Sequence, residues 1–544
     1  MLEVGKDVLK RKFAAMREDT YVRGRLKFIC AFVLGAFVLF SCRTLQLTIQ
    51  GTNRVRSVGR SDEWAIQRAD IVDRNGDILA KNVASGKIEL INKKVRDKDR
   101  EKIAGLIHEM FPYKYSLADA IKLVSPERGY VLLTNKATEK QIQAVKNARL
   151  QGLDAKEHQI RTYPKRRLFS HIVGIVGYNG EGQEGAEAYY NDYLKENKDP
   201  LRLSVDSRIQ SVFYEHLSQA MQTYKTKAAM GMLMNSRTGE ILAMVSLPDF
   251  DPESRSDPMI NHTFKPMRSV YELGSIFKIF NTALALENGI DLKKEYYVAK
   301  PFPIYNKHGK LERTISDIRS FKPPRPKINV EEIMMLSCNV GSAQIALDLP
   351  DGAQKEFFER LHMDKALDLE FGRTENTLPQ RKWGPVERAT VAYGQGYAIT
   401  PMHLMLGVNA VTNGGIYIYP TLQKRNVGVI QGERVLSDEI SAKLRPIMLR
   451  VAEETSGKKA RVAGINIGGK TSTAEKYTNN KVDGKRNVTS YVGVFPIESP
   501  QYIILVVLDE PQSVAESGWW RTAAQNAVPT TGKILNDILP LLFE

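Results

Sequence analysis

Tyr271-Glu272-Leu273-Gly274-Ser275-Ile276-Phe277-Lys278-Ile279-Phe280 is the stretch on which the reading of this chain turns. Ala283, Leu284, Ala285 and Leu286 continue it with little polar interruption. A helix that is apolar on every side is a buried helix. Its first turn carries Ser275, and Lys278 follows three residues later on the same face. A serine hydroxyl is a weak nucleophile until a base takes its proton. A lysine can be that base when desolvation and a neighbouring cation lower its pKa. The helix N-terminus adds backbone N–H groups that favour developing negative charge.

Ser-x-x-Lys alone arises by chance in a chain of 544 residues, and a second copy, Ser456-Gly457-Lys458-Lys459, does occur. That copy sits in a polar stretch with no apolar helix after it and reads as a surface loop. Two other segments sharpen the first. Ser337-Cys338-Asn339 follows Ile333-Met334-Met335-Leu336. A hydroxyl and an amide two residues apart in a turn can both face one cleft, although the same triplet also fits a helix cap or an Asx turn. Gly468-Gly469-Lys470-Thr471-Ser472-Thr473 follows Ile465-Asn466-Ile467 and fits a strand. Alternation puts Lys470 and Ser472 on one face and Thr471 and Thr473 on the other. Lysine and threonine on such a strand suit a peptide carboxylate, and an ordinary glycine-opened strand is the alternative. In this chain order the three segments form a known signature of acyl-serine enzymes. They lie about 62 and 133 residues apart, so each can occupy a different wall of one cleft.

Outward from these segments the pattern is mixed. Leu201 to Asp206 alternates like a strand, and Ile209 to Tyr224 reads as an amphipathic helix. Met230 to Asn235 and Glu240 to Ser246 are strand-like around the turn Ser236-Arg237-Thr238-Gly239. Val488 to Phe495 and Tyr502 to Leu508 form a similar pair, and Thr530 to Leu542 is helical in pattern. Strands at both ends with helices between them predict an α+β fold whose antiparallel sheet joins distant segments. Residues 48–200 form a separate unit with a tight turn at Asn75-Gly76. From about 95 to 150 that unit reads as helical and charged.

Phe28 to Cys42 is apolar apart from Ser41, and Lys27 and Arg43 bracket it. The run is short against the ~20 residues a span needs, but Lys27 can snorkel and Leu45, Leu47 and Ile49 extend it. Basic residues outnumber acidic ones before it, which keeps the N-terminus cytoplasmic. The expectation is a cytoplasmic tail (1–27), a signal anchor (28–47) and an exterior part. A cleaved signal peptide and a lipoprotein signal ending at Cys42 are the alternatives.

The formal net charge of +16 favours anionic surroundings or a solvated basic surface. No zinc finger or RNP-like aromatic signature accompanies it, which argues against nucleic acid. Three cysteines, Cys30, Cys42 and Cys338, provide neither a disulfide framework nor a metal-ligand spacing. No HExxH occurs, and no cofactor is expected.

Tyr271 to Lys278 resembles the nucleophile block of class B penicillin-binding proteins, with Leu273 where proline is usual. Arg68, Asp73-Arg74-Asn75-Gly76 and Leu79-Ala80 resemble the opening motif of that family's non-catalytic pedestal. Thr238-Gly239-Glu240-Ile241-Leu242-Ala243-Met244 resembles its first catalytic hairpin, and Tyr393-Gly394-Gln395-Gly396 through Thr400-Pro401 a segment before a core helix. Arg161, Tyr163-Pro164, His171, Gly174 and Gly182 to Glu187 resemble the septal, FtsI-type branch; so do Asp509-Glu510-Pro511 and Asn526-Ala527-Val528-Pro529.

The resemblance implies a pedestal over 48–200 and a transpeptidase domain over 201–544, its sheet sandwiched by helices. It implies that Ser275 attacks the bond between two terminal D-alanines of a peptidoglycan stem peptide, with Lys278 as base. Ser337 would pass the proton to the leaving amine, and Asn339 would hold the substrate backbone. Lys470, Thr471, Ser472 and Thr473 would line the carboxylate end, and backbone N–H groups of Ser275 and Thr473 would form the oxyanion hole. Implied partners are the lipid-linked precursor, β-lactams as covalent inhibitors, the inner membrane, a polytopic glycosyltransferase and other division proteins. The third motif usually ends in glycine, where this chain has Ser472. Glycine lets a ligand backbone approach a strand closely, so Ser472 either narrows the cleft or points away. An elongation-type enzyme, a D,D-carboxypeptidase and a non-catalytic β-lactam sensor are the rival readings. A β-lactamase would need Asn where Pro379 stands.

Overall fold

Asp73-Arg74-Asn75-Gly76-Asp77 reverses the chain between β1 (Ile71–Val72) and β2 (Ile78–Ile91). One Asp73 carboxylate oxygen accepts the N–H groups of Asn75 and Asp77 at 2.8 and 2.9 Å, and Gly76 takes φ +100°. In this computed structural model residues 34–38, 40, 41, 43 and 68–543 are described, apart from 178–179, 255–262, 307, 319–320, 381, 426–431 and 479–480. Residues 1–65 form a unit of their own. Most of the anchor predicted over 28–47, and the whole tail before it, lie outside the described residues; 34–38, 40, 41 and 43 are helical. Among the described residues no helix is long and apolar enough to cross a membrane.

After β2 come α1 (Arg100–Met110), β3 (Tyr130–Ala137), α2 (Glu139–Ala148) and β4 (Leu153–Thr162). β3 and β4 both pair antiparallel with β2. The stretch 95–150 is therefore not helical throughout. Tyr130-Val131-Leu132-Leu133 carries strand-favouring residues, and burying Leu133 against Ile88, Leu90, Ile103 and Ile142 outweighs the charged surroundings. A buried ion triad ties β4 to the helix Gly185–Tyr189. Glu187 accepts from Arg68 Nε at 2.9 Å and from Arg161 Nε at 2.7 Å, each side chain at most 1% exposed.

The run from Leu201 is only two residues of strand. β5 (Leu201–Arg202) pairs in parallel with β1. The chain then leaves the sheet because Asp206 caps α3 (Ser207–Tyr224), accepting from Arg208 N. Asp73, in the turn between β1 and β2, caps the same helix, accepting from Ser207 N at 2.9 Å.

β6 (Ala228–Asn235) and β7 (Ile241–Leu247) form the expected hairpin. Next come α4 (Phe277–Glu287), α5 (Val330–Leu336), α6 (Asn339–Asp348), α7 (Pro401–Thr412) and α8 (Asp438–Glu454). β8 (Gly468–Thr478), β9 (Lys481–Phe495), β10 (Tyr502–Asp509) and α9 (Ala527–Leu542) close the chain. The antiparallel sheet runs β8-β9-β10-β6-β7. Its central strands are apolar on both faces, so both faces must be covered. Met230, Met232, Met234, Ile503, Leu505 and Val507 pack in one core with Phe277, Phe280, Leu404 and Met448. Ala229, Leu233, Ile504, Val506 and Leu508 pack in the other with Phe213, Leu217, Ile534 and Leu535. The α+β sandwich thus follows from period-two alternation of residues that are apolar at every step.

Candidate active site

Ser275 stands in a 3₁₀ turn, Gly274–Ile276, that opens α4. The turn is held from two sides. The short strand Tyr271–Glu272 pairs with Ala398–Ile399. Gly394 packs so tightly on Gly274 that a Cβ there would lie 2.2 Å from the Gly274 carbonyl oxygen. Gly274 itself takes φ +52°, and its missing Cβ leaves room for the Ser472 hydroxyl, 2.5 Å from where a Cβ would be.

One turn along α4, Lys278 is 1% exposed with its Nζ 2.8 Å from Ser275 Oγ. Asn339 Oδ1 accepts from the same Nζ at 2.7 Å. The face of the Tyr393 ring lies 5.8 Å from it. Ser337 ends α5 in the left-handed region, φ +59°, which is uncommon for a side-chain-bearing residue. This kink separates α5 from α6, so that Ser337 and Asn339 address different amines. Lys470 Nζ on β8, 1% exposed, donates to Ser337 Oγ at 3.0 Å.

Two buried amines thus each meet a half-buried hydroxyl, Lys278 that of Ser275 and Lys470 that of Ser337. Burial pushes Lys278 down to about 8, opposed by the Asp317 carboxylate. Lys470 is held well below the usual lysine range, by burial and by the charge of Lys278. A neutral lysine near pH 8 can accept a serine proton without a metal or a histidine.

Strand alternation holds through the third segment. Lys470 and Ser472 are 1% and 2% exposed, and Thr471 and Thr473 occupy the opposite, more open face. Thr473 Oγ1 accepts from Ala523 N at 3.0 Å. Thr471 Oγ1 and Ser456 Oγ are 2.7 Å apart. Ser456 is exposed, as a surface loop should be, yet it is also tied to the site. The structure therefore brings Ser275, Lys278 and Asn339 together, and Ser337 with Lys470. It turns the Ser472 hydroxyl away from the open face toward Gly274, where no partner meets it. Sequence reasoning missed Asp317, which accepts from the backbone of Asn339 and from Cys338 Sγ. It also missed the contacts of Tyr393 and Ser456.

Ser275 beside one depressed lysine and Ser337 beside the other, on a helix-covered antiparallel sheet, fit covalent chemistry at a hydroxyl. Residues 229–538 match the penicillin binding protein transpeptidase domain, and residues 65–210 match the penicillin-binding protein dimerisation domain. A probable peptidoglycan D,D-transpeptidase FtsI from Caulobacter vibrioides is 32% identical, over 87% of this chain and 81% of its own. Stage V sporulation protein D of Bacillus subtilis is 29% identical, over 96% and 86%. A solved peptidoglycan synthetase from Bifidobacterium adolescentis shares the fold, with TM-score 0.65 and 19% identity over 88% of this chain and 95% of its own. The chain belongs to the penicillin-binding protein transpeptidase family, with the two-domain, class B architecture.

Proposed function

We propose that this protein is a serine-type peptidoglycan D,D-transpeptidase that cross-links stem peptides. The observation that carries the reading is Lys278 Nζ at 2.8 Å from Ser275 Oγ, fixed there by Asn339. Ser275 Oγ attacks the carbonyl carbon between the two terminal D-alanines, and its proton passes to Lys278. The C–N bond breaks, and the leaving amine takes a proton through Ser337. Lys470 and Thr471, with Thr473, receive the substrate's terminal carboxylate. That carboxylate returns Lys470 toward its ammonium form, and the new positive charge depresses Lys278 further. The base is thus readied by the substrate it serves. Backbone N–H groups of Ser275 and Thr473 hold the oxyanion. An amine from a neighbouring stem peptide then attacks the acyl ester and frees Ser275. β-Lactams enter by the same attack.

Residues 48–200 serve as the pedestal and 201–544 as the catalytic domain. The apolar run 28–47 anchors the chain in the inner membrane, with the catalytic domain outside. The FtsI name of a relative supports a septal role beside a polytopic glycosyltransferase and other division proteins. Incubation of the purified exterior part with stem pentapeptide and an acceptor amine tests the reaction. Cross-linked dimers are expected. Hydrolysed tetrapeptide alone would make it a carboxypeptidase, and a β-lactam adduct with no turnover would make it a non-catalytic β-lactam sensor.

A further inference from the structure

Asp317 lies two residues beyond the strand Leu311–Ile315, outside all three motifs. One of its carboxylate oxygens accepts the backbone N–H of Asn339, and the other faces Cys338 Sγ at 3.2 Å. Cys338 is fully buried, and burial together with Asp317 pushes its thiol up to about 12. It is therefore an S–H group and a donor at any working pH. With both oxygens engaged, the carboxylate cannot rotate. The two groups it grips sit in the turn that presents Ser337 to Lys470 and Asn339 to Lys278.

The charges around Lys278 give Asp317 a second effect. Ser275 faces Lys278 from its own turn, and Asn339 and Cys338 face it from the second motif. Lys278 in turn acts on Lys470 of β8, and Tyr393 presents its ring to Lys278. Burial disfavours the ammonium form of Lys278, and Asp317 is the carboxylate that opposes it.

We propose that Asp317 is a positioning residue for acyl transfer: it locks the Ser337–Asn339 turn against the nucleophile helix and places its negative charge behind the turn that holds Lys278. The proposal rests on the roles given above to Ser275 and Lys278. A carboxylate here costs some neutral base at pH 7. In exchange, the amine that does lose its proton is a stronger base and is held in line.

Two substitutions separate the effects. Asp317→Asn keeps an oxygen for the Asn339 N–H and removes the charge, while its NH2 must donate to Cys338 Sγ where the carboxylate accepted from the thiol. Its acid limb in the pH profile of acylation by a fluorescent penicillin is expected about 1 pH unit lower than wild type. Asp317→Ala removes the grip as well, and its plateau rate is expected to fall about tenfold or more. An unmoved limb in Asp317→Asn overturns the electrostatic part, and a wild-type plateau in Asp317→Ala overturns the positioning part. The titration of Lys278, followed by NMR on ¹³C-lysine-labelled protein, must shift down in Asp317→Asn as well. That readout needs no acylation, so it stands even if Ser275 proved not to be the nucleophile. An absent adduct on wild type would instead sink the transpeptidase reading.

Discussion

Ser337 Oγ meets Lys470 Nζ at 3.0 Å although 133 residues separate them along the chain. The contact joins a helix end in left-handed conformation to the strand at one edge of the sheet. Lys278 is anchored on the same turn through Asn339. The three segments thus meet in two side-chain chains, Ser275–Lys278–Asn339 and Ser337–Lys470, joined through the backbone of the Ser337–Asn339 turn, and perturbing any link should reach Ser275.

The base predicts a pH dependence. Lys278 is depressed to about 8, chiefly by burial. Acylation should therefore rise with pH through roughly 7 to 9 as the ammonium loses its proton, and level off above. Lys278→Gln should lower the rate at least about 1000-fold, since both the base and its alignment go. Stopped-flow acylation across pH 6–10 checks both; a flat profile would assign the proton to another group.

Gly394 predicts a remote loss of activity. A methyl group there would meet the Gly274 carbonyl oxygen at 2.2 Å, and the position has φ +82°. Gly394→Ala should push the Ser275 turn out of place and cut the acylation rate about 100-fold. Circular dichroism should still report a folded chain.

Ser472 predicts a gain in stability. Its hydroxyl is buried without a partner, beside Gly274. Ser472→Ala removes the desolvated group and should stabilise the chain by about 1 kcal/mol. Acylation should stay within about twofold, because the side chain turns away from the open face of the strand. A large rate change would mean that the hydroxyl faces substrate.

Much of this was legible in the sequence, and the exceptions have physical causes. The sheet was readable because β6 and β10 are apolar at successive positions, which forces helices onto both faces. β3 was hidden because only Leu133 and Ala137 of its eight residues are buried, so its pattern looked like a charged helix. Leu203 to Asp206 alternates, yet Asp206 spends its carboxylate on a helix cap. Ser275, Lys278, Ser337, Asn339 and Lys470 were visible because each sits in a short local pattern. Asp317 had no such pattern, since only tertiary packing brings a loop acid beneath Cys338 and Asn339. Ser456 looked like surface by polarity, and it is exposed; its bond to Thr471 depends on how α8 ends.

The pedestal triad predicts a stability effect separate from chemistry. Glu187 is fully buried between Arg68 and Arg161. Glu187→Ala leaves two buried cations without their carboxylate and should cost about 3–5 kcal/mol. Calorimetry should show an earlier transition, while protein that remains folded acylates normally.

The most direct measurement is the site of acyl attachment. After brief exposure to a penicillin, tryptic mass spectrometry should find one adduct per chain, on Ser275, and Ser275→Ala should carry none. An adduct on Ser456 or elsewhere, or undiminished labelling of Ser275→Ala, would contradict the account.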